Sequence, residues 1–136
     1  MMNKIKTTNQ KITTMKKEAI IKLTRTMLEK SIIDANKTVR DFAKDLGYDY
    51  ETAEFGSNFK QKCLYFTRNF EVIREDSKWD FEVSQITFYR AKTRGDKRVS
   101  IKGLNKNCKA GDVLTITWHD LFGVVIDISS DRKEEI

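Results

Sequence analysis

The chain has 136 residues, of which 39% are hydrophobic and 10% aromatic, a composition that suits one folded domain and excludes a disordered chain. Charged residues make up 34% and the net charge is +6, while no apolar run approaches the length of a membrane-spanning helix. Two cysteines, Cys63 and Cys108, are too few for a disulfide framework and match no metal-ligand spacing, which fits reduced thiols in a cytoplasmic protein.

Charge is distributed in blocks. Residues 1–30 carry eight bases and two acids, and residues 31–83 carry eight bases and eleven acids. Residues 84–109 carry eight bases and one acid, a local charge of +7, and residues 111–136 carry two bases and six acids. Residues 1–15 are polar and rich in Lys, Thr and Asn, and read as a flexible basic tail. No apolar signal core follows them.

From Lys16 the spacing of Ile20, Leu23, Met27 and Leu28 predicts a helix with one apolar stripe. Asn36 or Thr38 can cap a second helix ending at Leu46, with Val39, Phe42, Ala43 and Leu46 on one face and Gly47 as its stop. A third helix is expected over residues 51–68, weakened at Gly56 and Ser57. Beyond Asn69 the texture becomes that of strands. Residues 70–74 form a short strand, 75–78 a turn, and 79–83 alternate strictly. Residues 86–91 extend that strand or begin another. Gly95-Asp96 suits a hairpin turn, 98–101 a strand ending at Gly103, and 113–118 with 124–128 a closing hairpin.

The order implies an α+β fold in which N-terminal helices pack on a C-terminal bent antiparallel sheet or partial β-barrel. A single domain is expected over residues 16–130, helical over 16–68 and β over 70–129, with a frayed tail at 131–136.

Concentrated cation on a rigid scaffold is what a polyanion-binding surface needs, because each neutralised phosphate releases condensed counterions. Arg90, Lys92, Arg94, Lys97, Arg98 and Lys102 are therefore the candidate nucleic-acid contacts. Residues 38–68 also have the outline of a helix-turn-helix, but the second helix would begin with Asp49, Glu51 and Glu54, acids at the end that should face phosphate.

Residues 98–101 (RVSI), 110–116 (AGDVLTI) and 124–126 (VVI) resemble the swapped-hairpin pattern of AbrB-like transition-state regulators. They are also similar to the plant-type B3 DNA-binding barrel, in which a basic strand precedes a Gly-Asp turn and a final hairpin. The likeness covers residues 88–128. It implies duplex DNA as partner, with Arg90, Arg94, Lys97, Arg98 and Lys102 on the DNA side.

The reading is thus a non-enzymatic nucleic-acid-binding protein, duplex DNA favoured over RNA, with no cofactor and no metal. Small size and the Lys/Thr/Asn-rich tail suit a bacterial, phage or mobile-element regulator. Three alternatives stand beside it. One is a factor that binds a host protein. Another is a small Mg-dependent nuclease, or its recognition module, using Asp80 and Glu82, which share a strand face. The third is an RNA-binding protein. A homodimer is open. The only histidine, His119, cannot build a conventional zinc site with two cysteines, and no spacing places either thiol beside it for nucleophilic catalysis.

Overall fold

The computed structural model describes residues 18–66 and 81–130, with backbone alone for residues 65, 66, 81, 82, 107 and 130. The expected tails at 1–15 and 131–136, the strand at 70–74, the turn at 75–78, and Trp79 and Asp80 lie outside the described residues.

Among the described residues ten elements follow one another: β1 (Ala19–Lys22), α1 (Arg25–Lys30), β2 (Ile33–Asp34), α2 (Lys37–Leu46), β3 (Asn58–Phe66), β4 (Phe81–Arg90), β5 (Lys97–Ile101), α3 (Leu104–Asn107), β6 (Asp112–His119) and β7 (Gly123–Ser130). The strands form one seven-stranded sheet in the order β1-β6-β7-β3-β4-β5-β2, curled into a half-barrel. Every neighbouring pair is antiparallel except β3 and β7, which run parallel with Cys63 opposite Val124. The architecture is broadly α+β, but the sheet dominates and is mixed rather than purely antiparallel.

One expected helix gives up its first half to a strand, and another is replaced by a loop and a strand. The stripe from Ile20 to Leu28 divides at Thr24, whose side chain accepts from the Met27 N–H and caps α1. Before that cap, Ala19 and Ile21 are buried and Ile20 is 44% exposed, the alternation of a strand. The helix expected over 51–68 is loop and then β3. Gly47 ends α2 with φ 123, its N–H donating to the Ala43 and Lys44 carbonyls. Asp49 then ties a turn through its side chain to the Glu51 N–H, and Gly56 at φ 87 turns the chain into the sheet. The helix-turn-helix reading fails here, because the segment after α2 supplies a loop and a strand rather than a recognition helix.

Curvature follows from connectivity. β1 and β2 lie at opposite edges, joined only through α1. A flat sheet of seven strands would be about 29 Å across at about 4.8 Å per strand. The connector contains a six-residue helix, about 9 Å long, and its few extended residues bring its reach to roughly 25 Å. The edges must therefore bend toward each other.

α2 fills the concave side. Its Val39, Phe42 and Ala43 are buried, and Phe42 packs on Phe88 with ring centroids 6.5 Å apart. The aromatic row continues through Phe59, stacked on both Phe88 and Tyr48, to Tyr50. The N-terminus of α2 also covers the free edge of β1. Thr38 Oγ1 accepts from the Ile20 N–H at 2.9 Å, and Asn36 Nδ2 donates to the Ile20 carbonyl at 2.9 Å. The Asn36 Oδ1 meanwhile accepts from the Val39 N–H, so one side chain caps the helix and closes the sheet edge.

Candidate nucleic-acid interface

Residues opposite one another in a sheet share a face. On β3, β4 and β5 the registers assemble two faces. The concave one stacks Phe59, Phe88 and Val99, then Gln61, Ile86 and Ile101. The convex one carries three rows: Asn58, Tyr89 and Arg98; Lys60, Thr87 and Ser100; Lys62 and Gln85, with Lys102 joining through its N–H to the Gln85 carbonyl at 3.0 Å. Lys60 and Lys62 are exposed cations that sequence reasoning assigned to a helix and so did not place here.

The six expected contacts divide into two groups. Arg90 sits on the concave side of β4 and is spent on structure. Its Nε donates to the Gly95 carbonyl and its Nη1 to the Tyr50 and Ala53 carbonyls, while the Phe55 ring lies 4.9 Å from the guanidinium. Lys97 pairs with Glu51 at 2.9 Å, which holds the Glu51 carboxyl below its ordinary range. Arg98 pairs with Asp96 at 2.8 Å, and Asp34 stands opposite it on β2. By contrast, Lys92, Arg94 and Lys102 are exposed, and their side chains make no hydrogen bond or ion pair with any described residue. Lys60 and Lys62 are in the same condition.

Arg90 thus fixes the β4–β5 turn that displays Lys92 and Arg94. Gly95 completes the clamp. Its φ of 73 favours glycine, and a Cβ there would run into the Phe55 ring. On the other side of the turn, the Tyr50 hydroxyl donates to the Arg98 carbonyl at 2.6 Å. Burial, with Tyr48 alongside, pushes the Tyr50 phenol well above its ordinary range, so it keeps the proton it donates. The loop at residues 48–57 is therefore a brace beneath the basic turn.

The remaining reactive groups are occupied elsewhere. Cys63 is buried on β3, and burial pushes its thiol up to about 11. The His119 Nδ1 accepts the Leu121 and Phe122 N–H groups of its own hairpin tip, and its ring lies 4.7 Å from Phe122. Among the described residues no group of three His, Cys, Asp or Glu is placed to hold a metal ion. Asp80 lies outside those residues, and only the backbone of Glu82 is described. No helix among them is long and apolar enough to cross a membrane.

No protein-family model matches this chain, and no curated protein or solved structure does either.

Proposed function

We propose that this chain is a non-enzymatic nucleic-acid-binding protein that lays the convex face of β3, β4 and β5, with the turn at residues 92–94, against duplex DNA. The observation that carries this reading is the group of cations whose side chains have no partner among the described residues: Lys60, Lys62 and Lys102 on one face, Lys92 and Arg94 at its end. A folded surface gains nothing internally from such a cluster, whereas phosphate neutralises it with release of counterions.

Two features favour a duplex. The rows between the lysines supply Asn58, Gln85, Thr87 and Ser100, side chains able to hydrogen-bond base edges, but only one aromatic, Tyr89. That is a poor platform for stacking successive unpaired bases. The β4–β5 ribbon, with a clamped turn and an Arg at its tip, has the form that the B-DNA major groove admits. The likeness of residues 88–128 to AbrB-like and B3-like DNA-binding segments points the same way.

The test is titration of labelled duplex DNA, single-stranded DNA and RNA across a salt series. Duplex binding should be strongest and fall steeply with salt. A Lys60/Lys62/Lys102→Ala variant should flatten the log–log slope by about 2–3, near 0.9 for each lost phosphate contact. Absence of binding to all three at moderate salt would overturn the reading. A protein partner is the second reading, favoured by the hairpin tip, where Leu121 is 82% exposed and Phe122 54%. A complex that survives nuclease treatment would support it.

A further inference from the structure

A cleft opens at the edge of β5 that β2 leaves uncovered. Its volume is about 310 Å³, and it is lined by Ser31, Ile33, Ser100, Ile101, Gly103, Leu104, Asn105 and Lys106. Its origin is local. β2 is only two residues long, so it leaves the end of β5 uncovered beyond Val99. Ser31 closes α1 in the left-handed region at φ 57, the only non-glycine with positive φ among the described residues. Gly103, at φ 81, turns the chain away from the end of β5 into α3. The two turns diverge and leave a space between them.

Its chemistry is divided. Ile33, Ile101 and Leu104 are buried and form an apolar floor. Ser31, Ser100 and Asn105 are the polar residues of the lining, and exposed Lys106 adds one cation. A phosphate would find one cation and an aliphatic floor, a poor match. A planar heterocycle with a polar edge fits both parts, its faces against aliphatic carbon and its edge toward the hydroxyls and the amide. The volume lies at the lower end of small-molecule sites, room for one ring system and not for a dinucleotide. Position adds a further argument. Ser100 belongs to both the cleft and the convex face, in the row of Lys60 and Thr87, and Lys102 lies between the lining residues Ile101 and Gly103.

We infer that this cleft is a receptor for a single nucleobase, taken from a strand lying on the cationic face, with Asn105 and the serines reading its edge and Lys106 meeting the adjoining phosphate. The inference rests on the proposed function for the source of the base, though not for the chemistry of the cleft. A base enters only if unstacked, so among duplexes one with a mismatch, a bulged nucleotide or a frayed end should bind in preference to a perfect one.

The experiment uses the full chain and 2-aminopurine, an analogue that brightens when unstacked, placed singly along a duplex, at a mismatch and at a strand end. Fluorescence should rise several-fold at one position. Asn105→Trp, which puts a bulky side chain into the cleft from exposed α3, should abolish the rise while the salt slope and melting temperature hold. Asn105→Ala should weaken discrimination among bases at that position. A parallel arm adds nucleoside monophosphates and follows amide NMR signals of residues 100–106. Polynucleotide binding with neither a fluorescence rise nor an NMR response would overturn the cleft and leave the proposed function intact. Monophosphates moving those signals while no polynucleotide binds would support the cleft and overturn the proposed function. Neither form of ligand responding would overturn both.

Discussion

The two wings of the sheet share one core but present opposite exteriors. On the wing of β3, β4 and β5 the convex rows hold Lys60, Lys62, Arg98 and Lys102 among amides and hydroxyls. On the wing of β1, β6 and β7 they hold Ile20, Thr115 and Asp127, then Val113 and Ser129, with Lys22 the only cation in those rows. Core packing makes no such distinction, since Ile21, Leu114, Ile116 and Ile126 are as buried on one side as Ile86, Phe88 and Val99 are on the other. The difference lies in which cations have been given internal partners. Arg90, Lys97 and Arg98 are tied to the brace and the turn, and the lysines beyond them are left to solvent.

That contrast can be broken at the brace. Arg90→Ala strands the Gly95, Tyr50 and Ala53 carbonyls and removes the ion over Phe55. Denaturant unfolding should show a loss of about 3 kcal/mol. Gly95→Ala should reproduce a part of it, through φ strain and the displaced Phe55 ring. An unchanged midpoint in Arg90→Ala would mean that the guanidinium is not structural.

Affinity sharpens the same contrast. Lys60/Lys62/Lys102→Ala should weaken duplex binding on the order of 100-fold near physiological salt, with melting unchanged. Thr115→Ala on the other wing should leave binding as it was. Equal losses from the two would erase the distinction between wings.

The seam between the wings is where pH acts. Cys63 has its thiol raised from 9.0 to about 11 by burial. Between those values the unfolded chain releases the proton while the folded chain keeps it, so stability falls as pH rises. The expected loss is about 2–3 kcal/mol from pH 9 to pH 11. Stability curves for wild type and Cys63→Ala should diverge in slope there, and parallel curves would refute the assignment.

On the β1 edge, Asn36→Ala removes both the helix cap and the bond to the Ile20 carbonyl. Thermal unfolding should show about 1–2 kcal/mol of destabilisation. The smallest effect has the opposite sign. Ser31→Gly relieves a left-handed serine at the end of α1 and should stabilise by about 0.5–1 kcal/mol.

Parts of this fold are plain in the sequence. α2 announces itself through Asn36, its buried face and Gly47, and the final hairpin through alternation on either side of a Gly-containing tip. β3 is hidden for a physical reason. Phe55, Phe59 and Cys63 recur every four residues, a spacing that fits a helix of period 3.6 and a strand of period two equally well. Once that strand is read as a helix, Lys60 and Lys62 vanish from the basic face. β1 is lost because four residues hold too little alternation to outweigh the helical stripe that follows. The basic stretch itself is legible from charge, but its division is not. Whether an arginine faces solvent or three carbonyls depends on a loop that meets it only in the folded chain.

The placement of β1 and β2 at opposite edges bears on how the molecule assembles. Ala19 meets Ile116, and Ile33 meets Val99. During synthesis β1 must therefore wait for β6, which emerges more than 90 residues later, about the span from Ala19 to Asp112. Such long-range closures slow folding, and the last step docks both margins through one short helical strap. A single cut in α1 of the finished protein would uncouple those margins from each other, making this strap the place where limited proteolysis should loosen the half-barrel from two sides at once.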